Sequence, residues 1–139
     1  MALIDTADDR RELMLRTRSV AVVGVSANPG RPSHTVSRYL IDHADWTLYF
    51  VNPTVDTVLG RPVYPSLAAL PEVPDMVDVF RRADHLPEVV DEAIAVGAAS
   101  VWFQLGLVDD VAAARAVDAG LDVVQDRCLE IEHARLLRP

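Results

Sequence analysis

The residues best suited to chemistry lie in short loops, and the first loop is Gly24-Val25-Ser26-Ala27-Asn28-Pro29-Gly30-Arg31-Pro32-Ser33. Gly24 permits a tight backbone turn, Pro32 completes the turn-forming stretch, and Ser26 and Ser33 supply hydroxyls. A helix opening at Ser33 would leave its first N–H groups unpaired and receptive to an anion. Arg31 would add the forked charge that a phosphate prefers. The other reading of this stretch is an ordinary Gly/Pro turn with a serine helix cap. Arg81-Arg82 directly follows the apolar run that ends in Phe80. That pair points to an anionic ligand or is a solvated surface pair. Asn52-Pro53 offers an amide for a ribose or adenine edge, and Asn-Pro also simply terminates strands. Gln104, followed by Leu105-Gly106, closes another apolar run, in which Trp102 is read as core.

The elements that must position these loops follow from the pattern. Residues 19–25 form a short, β-branched, wholly apolar run, the signature of a parallel strand covered on both faces. Further strands are expected at 46–51, 76–80, 100–104 and 121–125, with a short one at 61–64. Helices are expected at 6–18, where Thr6 and Asp9 resemble a capping box, and at 33–43, with Ser33 as N-cap. Others are expected from the capping Asp84 to Gly97, at 109–119 and at 130–137, with a short helical turn from Ser66. Alternating strands and amphipathic helices imply a three-layer Rossmann-like α/β fold. The expected sheet is parallel, of about five strands in the order 3-2-1-4-5, with the ligand crevice where that order reverses. The 139 residues fit one domain, with no internal repeat or linker.

Composition then removes several classes. The net charge of −8 argues against a nucleic-acid partner, which requires a basic face. No apolar run reaches the ~20 residues that span a bilayer, so no membrane association is expected. The start, MALIDTADDRREL, carries no leader pattern, and the lone Cys128 builds neither a disulfide nor a zinc site; a cytoplasmic protein is expected. All 13 basic residues are arginine, so lysine chemistry and a Walker A loop are both excluded. The dinucleotide fingerprint is absent too. It needs glycines where Ser26 and Pro29 stand, and an acidic residue where the second strand ends in Asn52.

The ordered series GVSANPGRPS, YFVNP, LGRPVYPSL, VDVFRR, GAASVWFQLG and GLDVVQDRCLEIEH resembles the CoA-binding family that includes YccU-like proteins. It is also similar to the N-terminal CoA-binding domain of the succinyl-CoA synthetase α subunit. The resemblance runs over about residues 18–133. It implies coenzyme A or acyl-CoA as ligand, with Gly24, Ser26, Arg31, Pro32 and Ser33 around the phosphates. Asn52 and Pro53 would face the adenosine half, Phe80, Arg81 and Arg82 would contact the ligand, and Gln104 and Gly106 would line the site further along.

Catalytic residues are not expected. The synthetases form a phosphohistidine in a second domain, which a chain of this length does not hold. His34, His43, His85 and His133 show no base–nucleophile pattern; His34 is the best catalytic candidate and otherwise a helix-surface residue. Cys128 is read as a buried structural cysteine, the alternative being exchange with the CoA thiol. Its neighbours Asp126, Glu130 and Glu132 would raise the thiol pKa and weaken that alternative. The expectation is a non-catalytic CoA-binding protein. The alternatives are a CoA-dependent ligase or transferase component working with a partner chain, or a nucleotide-binding oxidoreductase.

Overall fold

The computed structural model describes residues 2–138. Helices α1 (Ala7–Arg16), α2 (Pro32–His43), α3 (Leu86–Val96), α4 (Asp110–Asp118) and α5 (Leu129–Leu137) alternate with the strands. The strands are β1 (Ser19–Val23), β2 (Thr47–Val51), β3 (Thr57–Val58), β4 (Arg61–Tyr64), β5 (Met76–Val79), β6 (Ser100–Phe103) and β7 (Asp122–Val124). They form one sheet in the order β3-β4-β2-β1-β5-β6-β7. Every pairing is parallel except β3 with β4. The expected three-layer α/β architecture and the reversal of order at β1 are therefore present, but the sheet has seven strands where about five were expected.

The main addition is β3, a two-residue strand closed onto β4 through Leu59 and Gly60, whose φ values are +53° and +73°. Consecutive positive φ values are what a tight antiparallel hairpin demands. Val-Leu-Gly-Arg lacks the Asn-Gly or Asp-Gly signal that announces such a turn, and two residues are too few for a periodic pattern. Beyond β7, Leu3 adds a parallel bridge to Val123, with the Ile4 N–H donating to the Val123 carbonyl at 2.7 Å.

Both faces of the sheet are covered, which explains the unbroken apolar strands. Ala21, Val23, Val77, Val79, Val101 and Phe103 pack on one face against Val89, Val90 and Ala93 of α3 and Ala112, Ala113 and Ala116 of α4. Val20, Val22, Met76, Trp102 and Val124 face the other side, against α1, α2 and α5. Trp102 is wholly buried there, as expected of a core residue, and its indole N–H donates to the Arg127 carbonyl at 2.7 Å. The buried pair Arg10–Glu132, at 2.6 Å, ties α1 to α5.

Two helix starts differ from expectation. The α2 N-cap position is Arg31, with proline in the first turn, and the Ser33 hydroxyl accepts the Ser26 N–H at 3.0 Å instead of capping its own helix. Proline has no N–H to satisfy, so the first turn needs less capping. Asp84 lies in a 3₁₀ turn, Ala83–His85, and α3 starts after it without a side-chain cap. By contrast, Thr6 accepts the Asp9 N–H, Asp109 accepts that of Ala112, and Gly97 ends α3 in the left-handed conformation.

Asp78 breaks the apolar pattern of the central strands. It sits between Val22 and Trp102 in register, fully buried, and neither carboxylate oxygen has a hydrogen-bond partner. Burial pushes its pKa well above the ordinary 3.8, because the charged form would lose its hydration. In the unfolded chain it ionises near its ordinary value. Between the two values the native state carries the extra proton, and stability falls as pH rises, on the order of 1 kcal/mol per unit. Asp78→Asn, neutral at every pH, is expected to gain stability relative to the parent as pH is raised from 5 to 8. Urea unfolding across that range checks it; parallel stability curves for the two proteins would refute it.

Candidate functional site

Strands leaving β1 toward β2 on one side and toward β5 on the other separate their outgoing loops, and a crevice opens between them. The loop after β1 turns at Gly24, φ +86°. Its N–H donates to the Val51 carbonyl at 2.9 Å, while the Phe80 N–H donates to the Val23 carbonyl at 2.8 Å. A Cβ on Gly24 would lie 2.6 Å from the Phe80 carbonyl oxygen. Only glycine satisfies both the backbone sign and the contact.

Side-chain hydrogen bonds hold the rest of this loop in shape. The Ser26 hydroxyl accepts the Asn28 N–H at 3.0 Å, and Asn28 Oδ1 accepts the Gly30 N–H at 2.9 Å. Asn52 Nδ2 donates to the Val25 carbonyl at 2.8 Å, and its Oδ1 accepts both the N–H and the hydroxyl of Thr54 at 2.9 Å. Asn52 therefore latches the end of β2 to the loop after β1, and its oxygen is fully engaged within the protein.

The resulting cleft holds about 630 Å³. Of the residues singled out from sequence, it brings together Gly24, Ser26, Arg31, Pro32 and Ser33 with Asn52, Phe80, Arg81, Arg82 and Gln104. Pro53 and Gly106 are not brought in. Pro53 is exposed on the turn after β2. Gly106, φ +87°, gives its N–H to Asp126 at 2.6 Å and shapes the loop after β6 between the lining residues Leu105 and Leu107. His34 is buried on α2 and is not among the residues lining the cleft, so it is not the helix-surface residue expected. Cys128 was expected to be buried; it is half-exposed and lines the cleft at the N-cap of α5, beside Ile131.

That contribution of α5 is the part missed in the sequence. The loop after β7 emerges at the same carboxyl edge as the others, so the expected topology already placed residues 125–128 there. Gln104 joins the two sides: its Oε1 accepts the Leu129 N–H at 3.1 Å and occupies the first turn of α5.

The electrostatics of the lining are one-sided. Arg31, Arg81 and Arg82 are there, and no Asp or Glu is, in a chain with 21 acidic residues. Neither Arg31 nor Arg81 has an ion-pair partner among the described residues, and the Arg82–Asp84 pair is long, 3.5 Å, and solvated. The N-terminal turns of α2 and α5 both border the cleft and add positive dipole ends. A second hollow, about 510 Å³, lies at the opposite end of the strands, with Arg18, Trp46 and Arg138 in its wall. There α1, α2 and α5 end, so their carbonyl termini oppose an anion, and the cations offset those carbonyls.

Fold and cleft together define a Rossmann-like α/β protein with an anion-receptive site at the switch point of its sheet. The chain belongs to the CoA binding domain family, whose model matches residues 18–134. The resemblance read from the motifs is thereby borne out. Its relatives include the Bacillus subtilis protein YneT, 38% identical over 124 residues, which cover 89% of this chain and 91% of YneT. A stretch of 81 residues, 58% of the chain, is 33% identical to an ADP-forming acetate–CoA ligase of Archaeoglobus fulgidus, of which it covers only 12%. A solved hypothetical protein from Pyrococcus horikoshii is 40% identical with a TM-score of 0.90, covering 96% of this chain and 93% of that one. Among the described residues, no helix is long and apolar enough to cross a membrane.

Gly24→Ala is expected to destabilise the protein by about 1–3 kcal/mol, because the added carbon meets a backbone carbonyl at an unfavourable φ. A denaturant midpoint unchanged from the parent would show that the loop can shift to relieve the contact.

Proposed function

We propose that this protein binds coenzyme A or an acyl-CoA and performs no chemistry on it alone. One observation carries the reading: in a strongly acidic chain, the switch-point cleft is lined by three arginines and two helix N-termini, with no carboxylate. The 3′-phospho-ADP moiety of CoA, with about four negative charges at neutral pH, matches that lining. Family membership selects CoA among phosphate-bearing ligands. Arg31, Arg81, Arg82 and the first turn of α2 are assigned to the phosphates. The Ser33 hydroxyl is spent on the Ser26 N–H and the Ser26 hydroxyl on the Asn28 N–H, so both serines shape the loop. The wall of Val36, Leu107 and Ile131 suits the uncharged pantetheine arm. Beside the Cys128 thiol the lining offers neither histidine nor carboxylate to act as a base.

A second reading is a CoA-binding component of a ligase that acts with a partner chain. The match to a segment of the acetate–CoA ligases favours it. Turnover of acyl-CoA substrates by the protein alone, or only after adding a candidate partner, separates the two readings. In either case the protein is taken to work in the cytoplasm, where CoA is used.

CoA, ATP and NAD at equal concentration are expected to raise the melting temperature most for CoA, a ligand at 100 times its Kd contributing about 2.7 kcal/mol. A larger shift with NAD would overturn the assignment. Arg31→Ala is expected to weaken CoA by about 1.5–3 kcal/mol while leaving pantetheine unaffected. Equal losses for both would remove Arg31 from the phosphate site.

A further inference from the structure

Gln104 carries an unspent donor. The residue is only 6% exposed, and the peptide N–H of Leu129, which can only donate, fixes which end of its amide is oxygen. The nitrogen, Nε2, is left on the other side. It has no hydrogen-bond acceptor among the described residues, although Gln104 forms part of the cleft wall. The side chain is held by its bond to the α5 N-terminus, which fixes where the NH₂ group sits in the cleft wall. On the side of the cleft formed by the loop after β6 and by α5, the lining is Leu105, Leu107, Cys128 and Ile131, with no charged side chain among them. A fixed, nearly buried amide donor in an apolar wall is the arrangement that selects a neutral acceptor, not a phosphate.

We infer that Gln104 Nε2 donates to a carbonyl oxygen on the non-phosphate arm of the ligand and thereby sets the position of that arm. This rests on the CoA reading above. A pantetheine arm presents amide carbonyls, and an acylated one adds a thioester carbonyl; a free thiol presents none. Gln104 is thus a specificity-determining residue for the arm, and its cap on α5 couples arm position to the placement of the neighbouring Cys128.

The test is calorimetric titration of the full chain and of Gln104→Glu with CoA, acetyl-CoA and adenosine 3′,5′-bisphosphate, which lacks the arm. The substitution keeps an oxygen for the Leu129 N–H and removes the donor. Acetyl-CoA, which carries both kinds of carbonyl, is expected to weaken about tenfold or more, and the bisphosphate by less than about threefold. A greater loss for acetyl-CoA than for CoA identifies the thioester carbonyl; equal losses identify an amide of the arm. Gln104→Met, which removes the donor without adding charge, is expected to give the same ranking of ligands. Unchanged affinity for both CoA and acetyl-CoA in both variants, or equal loss for all three ligands, would overturn the inference. A parent protein that binds none of the three would instead overturn the CoA reading itself.

Discussion

The close passage of the chain leaving β1 over the end of β5 governs the rest of the site. At Gly24 the backbone comes so near the Phe80 carbonyl that no side chain fits. Hydrogen bonds from Gly24 to Val51 and from Phe80 to Val23 continue the sheet to its last position on both sides of β1. The loop then has to rise out of the sheet plane, and Asn52 catches it from β2. β1 is hydrogen-bonded on both sides and wholly buried, so this loop starts from a fixed strand end. Arg31 and the first turn of α2 are carried to one wall of the cleft, Arg81 and Arg82 to the other.

The distribution of charge follows from the same geometry. Parallel strands send all their outgoing loops to one edge, and helices that follow those strands begin there. Positive dipole ends therefore gather at the cleft, and helix carbonyl ends gather at the opposite hollow. Arginines occur at both ends, but only at the cleft do they reinforce the dipoles. The three central strands β1, β5 and β6 admit one ionisable side chain, Asp78, whose pKa is raised by burial among Val22, Trp102 and their neighbours.

Much of the fold could be read from residue order. Unbroken apolar runs between amphipathic stretches have one stable solution, a covered parallel sheet, and Gly97 and Asp109 mark helix boundaries for local reasons that survive folding. The failures were local residues with tertiary partners. Ser33 looked like a helix cap because its type suits one, but the neighbouring loop claims its hydroxyl. Asn52, read as a ligand group, does line the cleft, and there its oxygen accepts from Thr54 and one N–H goes to Val25. The β3–β4 hairpin escaped notice because Leu59 adopts a φ that its residue type does not announce.

What the sequence by itself determined is the architecture and the edge at which its arginine-bearing loops meet: strand–helix alternation fixes the topology, and a lysine-free chain leaves arginine and backbone N–H groups as the positive groups there. What only the tertiary structure decided is which of the candidate groups remain available. A hydrogen-bonding side chain has a limited number of donors and acceptors, and Ser26 has taken the Ser33 hydroxyl while Thr54 and Val25 have taken much of Asn52. Gln104 is left with one free end, aimed by a helix that begins 25 residues later. Residue type sets what a side chain can bond, but only the packed neighbours set what it still has to offer.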